Sequence, residues 1–294
     1  MEIIKPQVEL WVQADPIAHV AHCARICYAS DKTTGNEAMY KRLIDSNHRS
    51  MLRHQSVYII APNKGICAEK IEQFKNCPYI DYVVESGYIY ISTNAQFAME
   101  NNDIAYFLKW EVDRIEFANN PIGFGLMRYT FKVVTQISTS RELNRVSPNN
   151  IAEQSTRYVN LSKKGGAICQ PHWLKDEVVN YINSKLTINL TIEEQNEYAK
   201  EIHYLKECSR SFATYRFLTN ECSMTPQDAR GVLPLDTATV CVYTYSIAEW
   251  RHIIDLRYYG TTGAPHPNAV IIAGMIREKL IDAGHEFPKT KEEN

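Results

Sequence analysis

The sequence has no CxxC pair and no dense cysteine framework: its eight cysteines lie scattered at 23, 27, 67, 77, 169, 208, 222 and 241. A chain of 294 residues is long enough to bury a core without staples, so reduced thiols in the cytoplasm are the expected state. No run approaches the roughly 18 apolar residues of a spanning helix. Met1-Glu2-Ile3-Ile4-Lys5-Pro6 also lacks the apolar stretch of a signal peptide. Neither charge sign dominates; the formal net charge of −2 excludes a global basic field for a nucleic-acid polymer and leaves phosphate recognition to local clusters. There is no GxSxG elbow, no P-loop and no GxGxxG after a strand, which removes the common hydrolase, NTPase and dinucleotide templates. With no repeat, low-complexity tract or Gly/Ser linker to divide it, the chain reads as one domain over residues 1–294.

What is present is an ordinary globular balance, 45% apolar and 22% charged, with mixed helix and strand periodicity. Ile17, Val20, Ala21, Ala24 and Cys27 keep helical spacing over 16–27, and a second helix is expected at about 36–45. Val57-Tyr58-Ile59-Ile60 reads as a strand. Residues 61–105 carry weaker signals: a Pro/Gly turn at 62–65, a helical patch near 68–75 and a strand at 88–92. Tyr129, Phe131, Val133, Thr135 and Ile137 alternate with period two, a clear strand. Thr191-Ile192-Glu193-Glu194 fits a capping box opening the longest helix, whose apolar face runs from Tyr198 to Tyr215. Thr225-Pro226-Gln227-Asp228 opens another in the same manner, and further helices are expected at about 246–259 and 268–283. The tail from Lys289 is expected to fray.

The chemically dense stretch follows the period-two strand: Arg141-Glu142-Leu143-Asn144-Arg145, Ser147-Pro148-Asn149-Asn150, then Glu153-Gln154-Ser155-Thr156-Arg157-Tyr158. Arginine forks beside short hydroxyls and amides suit phosphate oxygens or the carbonyl and N3 edge of a pyrimidine. The same spacing also suits a solvated, charge-balanced loop, since two of the arginines lie near a glutamate.

This stretch resembles the signature of the flavin-dependent thymidylate synthases, an arginine-histidine-arginine triplet, seven residues, a serine and an arginine-tyrosine pair. Arg145, Glu153, Ser155, Arg157 and Tyr158 fall in register, whereas Val146 and Ser147 stand in place of the histidine and second arginine. Ala24-Arg25-Ile26-Cys27-Tyr28, His48-Arg49-Ser50-Met51-Leu52-Arg53-His54, Gln227-Asp228-Ala229-Arg230-Gly231-Val232-Leu233-Pro234, Glu249-Trp250-Arg251-His252, Leu256-Arg257 and His266-Pro267 continue the resemblance in order. It leaves a subgroup-like insertion at about 61–125.

The resemblance implies an α/β (α+β mixed) fold with a mixed or antiparallel sheet flanked by long helices. It implies reductive methylation of dUMP at C5, with methylenetetrahydrofolate as carbon donor, reduced FAD as hydride donor and NADPH regenerating the flavin. A homotetramer with shared active sites is also implied. The substrate would be held by Glu142, Arg145, Glu153, Gln154, Ser155, Thr156, Arg157, Arg230 and Arg257. Arg257 and Ser155 are the catalytic candidates. A fixed cation at Arg257 favours N3-deprotonated uracil, while Ser155 is given an orienting role because no histidine lies near it in sequence. The FAD candidates are Ser50, His54, Arg145, Ser147, Glu153, Ser246 and His252. Ser246, Ala248 and Val270 replace polar or cationic groups common in the family, so a pyrimidine-nucleotide-binding paralogue with weakened flavin binding, or methylation of another pyrimidine nucleotide, stands as the alternative. A metal site from His22, Cys23, Cys27, His48 and His54 is weighed against the usual role of buried cysteine as a small hydrophobe. No metal is expected.

Overall fold

A computed structural model describes residues 1–29, 34–145, 148–185 and 190–288. Among these residues run ten strands: β1 (Glu2–Ile4), β2 (Gln7–Trp11), β3 (Ser56–Pro62), β4 (Ile80–Glu85), β5 (Tyr88–Asn94), β6 (Glu111–Val112), β7 (Arg128–Gln136), β8 (Ile151–Glu153), β9 (Ala167–Cys169) and β10 (Ala238–Ser246). The fold is mixed α/β with antiparallel four-stranded sheets. The expected tail from Lys289 lies outside the described residues.

The central sheet has the order β2-β7-β10-β8 and is antiparallel throughout. β7 and β10 pair over their full length, from Gln136 opposite Ala238 to Arg128 opposite Ser246. Their alternation puts Tyr129, Phe131, Val133, Cys241, Tyr243 and Tyr245 on one face, in a core closed by Trp250, Ile253, Ile272 and Ile276. The other face carries Thr130, Val242 and Thr244, and the helix Pro16–Tyr28 lies across it. Asp15 starts that helix by accepting from Ile17 N and Ala18 N, with Pro16 in the first turn. Residues four apart then make successive contacts with the sheet side. His19 Nε2 lies 3.1 Å from Thr130 Oγ1, Cys23 packs with Val242 and Ala152, and the Cys27 carbonyl accepts Ser155 N at 2.9 Å. The cysteines pack as apolar groups, and burial raises both thiol pKa values.

Residues 61–125 build most of a second sheet, β4-β5-β3-β6. β4 was not anticipated, although it is closed by a hairpin whose Ser86 and Gly87 both have positive φ, 52° and 82°, the backbone a two-residue turn demands. In β3 and β5 the alternation divides two cores. Val57, Ile59, Ala61, Ile89 and Ile91 join Leu52, Phe74 and Phe107, while Tyr58 and Tyr90 turn toward Phe117 and the central core. The Phe117 ring stacks 4.8 Å from that of Tyr58. The Tyr58 hydroxyl accepts Arg128 N at 3.2 Å and donates to Arg128 O at 3.3 Å, tying this sheet to the start of β7.

The Thr191–Glu194 capping box forms as expected, but the helix runs Ile192–Glu197, breaks at Tyr198 and resumes as Ala199–Asn220. Thr225 differs more: its hydroxyl donates to Asp228 Oδ2 at 2.6 Å instead of capping the backbone, and the helix is a single turn, Pro226–Ala229, followed by a 3₁₀ turn at Arg230–Val232. The helix expected at 246–259 is α over Ile247–Ile254, with Ser246 as its cap, and π over Asp255–Tyr259.

Phe117 has no exposed surface and packs on Tyr58 and Tyr90 of the second sheet inside the core that also holds Tyr129 and Phe131, so Phe117→Ala should destabilise the whole chain by about 3–5 kcal/mol. Urea unfolding followed by fluorescence and by far-UV dichroism should show one shifted transition. Loss confined to a fraction of the dichroism signal would mean that the sheets fold separately.

Candidate functional site

The helix Ile137–Leu143 begins where β7 ends. Its start is held by Ile137 N donating to Thr237 O at 3.0 Å and Ser138 N donating to Leu235 O at 3.1 Å. On the neighbouring edge, β8 carries Glu153 opposite Cys241 of β10. Glu153 Oε1 accepts from Ser140 Oγ at 2.9 Å and Thr239 Oγ1 at 3.2 Å, so the carboxylate fastens helix, β8 and β10 at one point. The next residues leave the sheet on fixed backbone bonds: Gln154 N to Val240 O at 2.8 Å and Ser155 N to Cys27 O at 2.9 Å. Ser155 Oγ accepts Arg157 N at 3.2 Å, leaving its own proton available.

Two adjoining clefts open here, of about 300 and 360 Å³. Ile137, Arg141, Thr156 and Arg230 line both; Ser140, Glu153, Gln154 and Ser155 complete the first, and Gly231, Leu233, Pro234 and Leu235 the second. Arg230 Nη1 donates to Thr156 Oγ1 at 3.0 Å. Arg157 stands at the rim, donating to Gln227 Oε1 at 3.4 Å and lying 5.4 Å from the centre of the Tyr158 ring. The structure thus unites Glu153, Gln154, Ser155, Thr156 and Arg230, from segments some seventy residues apart. Arg141 was in the dense stretch but not among the selected site residues, yet it lines both clefts; Gln227, quoted only for the resemblance, proves to be the partner of Arg157. With two exposed guanidinium groups, a carboxylate, an amide and three hydroxyls, the clefts can hold an anion beside a heterocycle with mixed donors and acceptors.

Arg257 and Glu142 form a separate pair. Arg257 sits on the π turn, a geometry often found at functional positions; its Nε donates to Glu142 O at 3.1 Å and its Nη1 lies 3.9 Å from Glu142 Oε2. Glu142 follows Arg141 on the same helix, so the pair adjoins the clefts without lining them. Arg145 is exposed, and its guanidinium bonds to none of the described residues.

The flavin candidates do not assemble within one chain. Ser246 is buried and caps its helix, its hydroxyl accepting Glu249 N at 3.3 Å while Glu249 Oε2 accepts Ser246 N at 2.7 Å. It also lies seven residues along β10 from Thr239, roughly 23 Å at about 3.3 Å per residue. His54 is fully buried, its Nδ1 2.8 Å from Thr244 Oγ1. Thr244 in turn lies 2.8 Å from Thr130 Oγ1, which meets His19. Burial, then the nearby His19 and Arg128 charges, push the His54 pKa down to about 3; burial and His22 push His19 down to about 4. Ser50 and His252 are exposed, Glu153 belongs to the first cleft, and Val146 and Ser147 lie outside the described residues. Among the described residues no three metal-ligating side chains converge.

The family model described as thymidylate synthase complementing protein matches residues 124–278, a little over half of the chain, from the end of the second sheet through both clefts and the π turn. No curated protein matches the sequence. Among solved structures the chain is similar to a UMP/dUMP methylase, PolB from Streptomyces cacaoi, bound with 5-Br dUMP, at 16% identity and a TM-score of 0.44, over 96% of this chain and 93% of that one. It is also similar to thymidylate synthase X from Helicobacter pylori with FAD and dUMP, at 12% identity and a TM-score of 0.37, over 93% and 92% of the two chains.

The His19–Thr130–Thr244–His54 chain has a pH signature. Unfolded histidines protonate near pH 6.5, whereas the folded ones wait until about 4 and 3. Between those limits the unfolded chain takes up more protons, so stability is complete above 6.5 and declines as pH falls through the window. From pH 7.5 to 5 each histidine should remove roughly 2 kcal/mol. A denaturation midpoint that stays flat over this range would contradict neutral burial.

Proposed function

Since the chain belongs to the thymidylate synthase complementing protein family, we propose that it methylates dUMP at C5, holding the nucleotide in the clefts between Glu153, Ser155 and Arg230. The observation that carries this reading is the convergence of Arg141, Arg230, Glu153, Gln154, Ser155 and Thr156 on connected cavities inside the matched span. Arg230 and Arg141 neutralise the phosphate. The Ser155 hydroxyl orients the sugar or base, and the Gln154 amide together with the free oxygen of Glu153 meets groups that both donate and accept. Arg257, released from Glu142, would lie against the uracil and favour its N3-deprotonated form, which is the more nucleophilic at C5.

Methylenetetrahydrofolate as carbon donor, FAD as hydride carrier and NADPH as its reductant are part of the proposal, supplied to an assembly of four chains. FAD would deliver a hydride when bound, but the described residues of a single chain do not fit it, because His54 and Ser246 are sealed in the core and used there. That burial favours one second reading, a nucleotide-binding paralogue with little flavin.

Titration with dUMP and UMP separates the nucleotide readings, and flavin absorbance that bleaches under NADPH and dUMP separates enzyme from paralogue. Arg230→Ala removes a charge-assisted contact, worth roughly 1.5–3 kcal/mol, and should weaken dUMP about 10- to 100-fold with little change in thermal midpoint. Unchanged affinity would place the phosphate elsewhere.

A further inference from the structure

A third cavity, of about 270 Å³, lies away from the nucleotide clefts, against the second sheet; Arg53, Tyr79, Asn94, Phe97, Glu100 and Asn101 contribute to its walls. All but Arg53 belong to the 61–125 segment. One wall is aromatic: the Tyr79 and Phe97 rings stack at 5.3 Å with an interplanar angle of 26°. The polar groups are divided between structure and cavity in a regular way. Asn94 Oδ1 accepts Phe97 N at 3.0 Å, and Asn101 Oδ1 accepts Asp103 N and Ile104 N at 3.0 and 3.1 Å. Each oxygen is therefore committed to a helix start, while each amide nitrogen has no hydrogen-bond partner among the described residues. Asn94 is only 2% exposed, so its NH₂ can be satisfied only from the cavity.

Arg53 completes the donor set. Its Nε donates to Gln96 Oε1 at 2.6 Å and its Nη1 to Asn149 O at 3.1 Å, which leaves Nη2 without a partner. One acceptor faces these donors, the Glu100 carboxylate, which otherwise receives only Gln96 Nε2 at 3.2 Å. Donors and an acceptor beside an aromatic wall complement a flat ring whose edge carries a carbonyl next to an N–H. The volume is below the ~300–1,000 Å³ of drug-sized ligand sites, which excludes a dinucleotide and suits one or two rings.

We propose that this cavity is a second small-molecule site, selective for a lactam-type heterocycle of one or two rings stacked on Tyr79 and Phe97, with its carbonyl on Asn94, Asn101 and Arg53. The site is independent of the methylation reading and is tested by binding alone. Pyrimidine and pteridine lactams share this chemistry, and uracil and lumazine serve as probes of the two sizes, followed by ligand-observed NMR and lumazine fluorescence anisotropy on the full chain. Asn94→Asp and Asn101→Asp each keep the capping oxygen and replace the free NH₂ by a carboxylate oxygen, so both should fold. Saturable binding of either probe at about 1 mM or tighter, the range of an efficient fragment-sized ligand, weakened fivefold or more by at least one of these variants, is the expected result. Absence of saturable binding by both probes to the unaltered chain, or losses under fivefold in both variants, overturns the proposal. The probe that binds more tightly names the ring size.

Discussion

The full-length pairing of β7 with β10 is the constraint on which the rest of the structure depends. Because Gln136 faces Ala238 at one end and Arg128 faces Ser246 at the other, everything attached to the ladder is sorted to one of its ends. At the Gln136 end the chain turns into the helix bearing Arg141 and Glu142, and the neighbouring strand delivers Glu153. At the Arg128 end lie the capped helix, the Tyr58 hydroxyl and the buried threonine and histidine chain. A one-residue slip would reverse both faces of a strand buried on each side, so the register is held by packing as well as by hydrogen bonds.

The two ends treat polar groups differently. Around Thr244 the side chains turn inward and bond to one another: His19, Thr130, Thr244 and His54 form a continuous run, and Glu249 is engaged by Ser246. Around Glu153 the bonds settle backbone and carboxylate but leave Arg141, one oxygen of Glu153 and the proton of Ser155 outward. Rigid supports with unused side-chain capacity are what a binding surface needs, since ordering costs are met before the ligand arrives. The stripe of the helix Pro16–Tyr28 links the ends, with His19 in the buried network and the Cys27 carbonyl under Ser155.

Much of this was legible in the sequence where a local signal has a local cause. The alternation at 129–137 became a strand to within a residue at each end, and the Thr191–Glu194 capping box formed, although it opens a six-residue helix and the long apolar face belongs to the next one, Ala199–Asn220. The Thr225 cap failed because its hydroxyl donates to the Asp228 carboxylate, three residues on, instead of accepting a backbone N–H of the same turn, and β4 was passed over because Ile80–Glu85 shows no strict alternation. At the clefts, the match in register placed Glu153, Gln154, Ser155, Thr156 and Arg230 together, but it could not rank Arg141 above Arg145, since which face of a short helix meets a loop ninety residues away is a tertiary fact. The flavin candidates illustrate the converse: Ser246 and His54 have suitable chemistry, but capping and burial decide what they can reach.

The sharing of β3 between two cores also bears on how the 61–125 segment can be handled as a building block. A cassette can be excised when its apolar surface faces only itself. Here Tyr58 and Tyr90 deliver their rings to Phe117 on the far side of their sheet, and the Tyr58 hydroxyl occupies both backbone groups of Arg128. Removing the segment would strip β5 and β6 from the two sides of β3 and take Tyr90 and Phe117 out of the core that Tyr58 enters, leaving sticky edges in place of a loop. The 61–125 segment thus acts as a keystone, and a version of this protein without it would have to be redesigned around Tyr58 rather than simply cut.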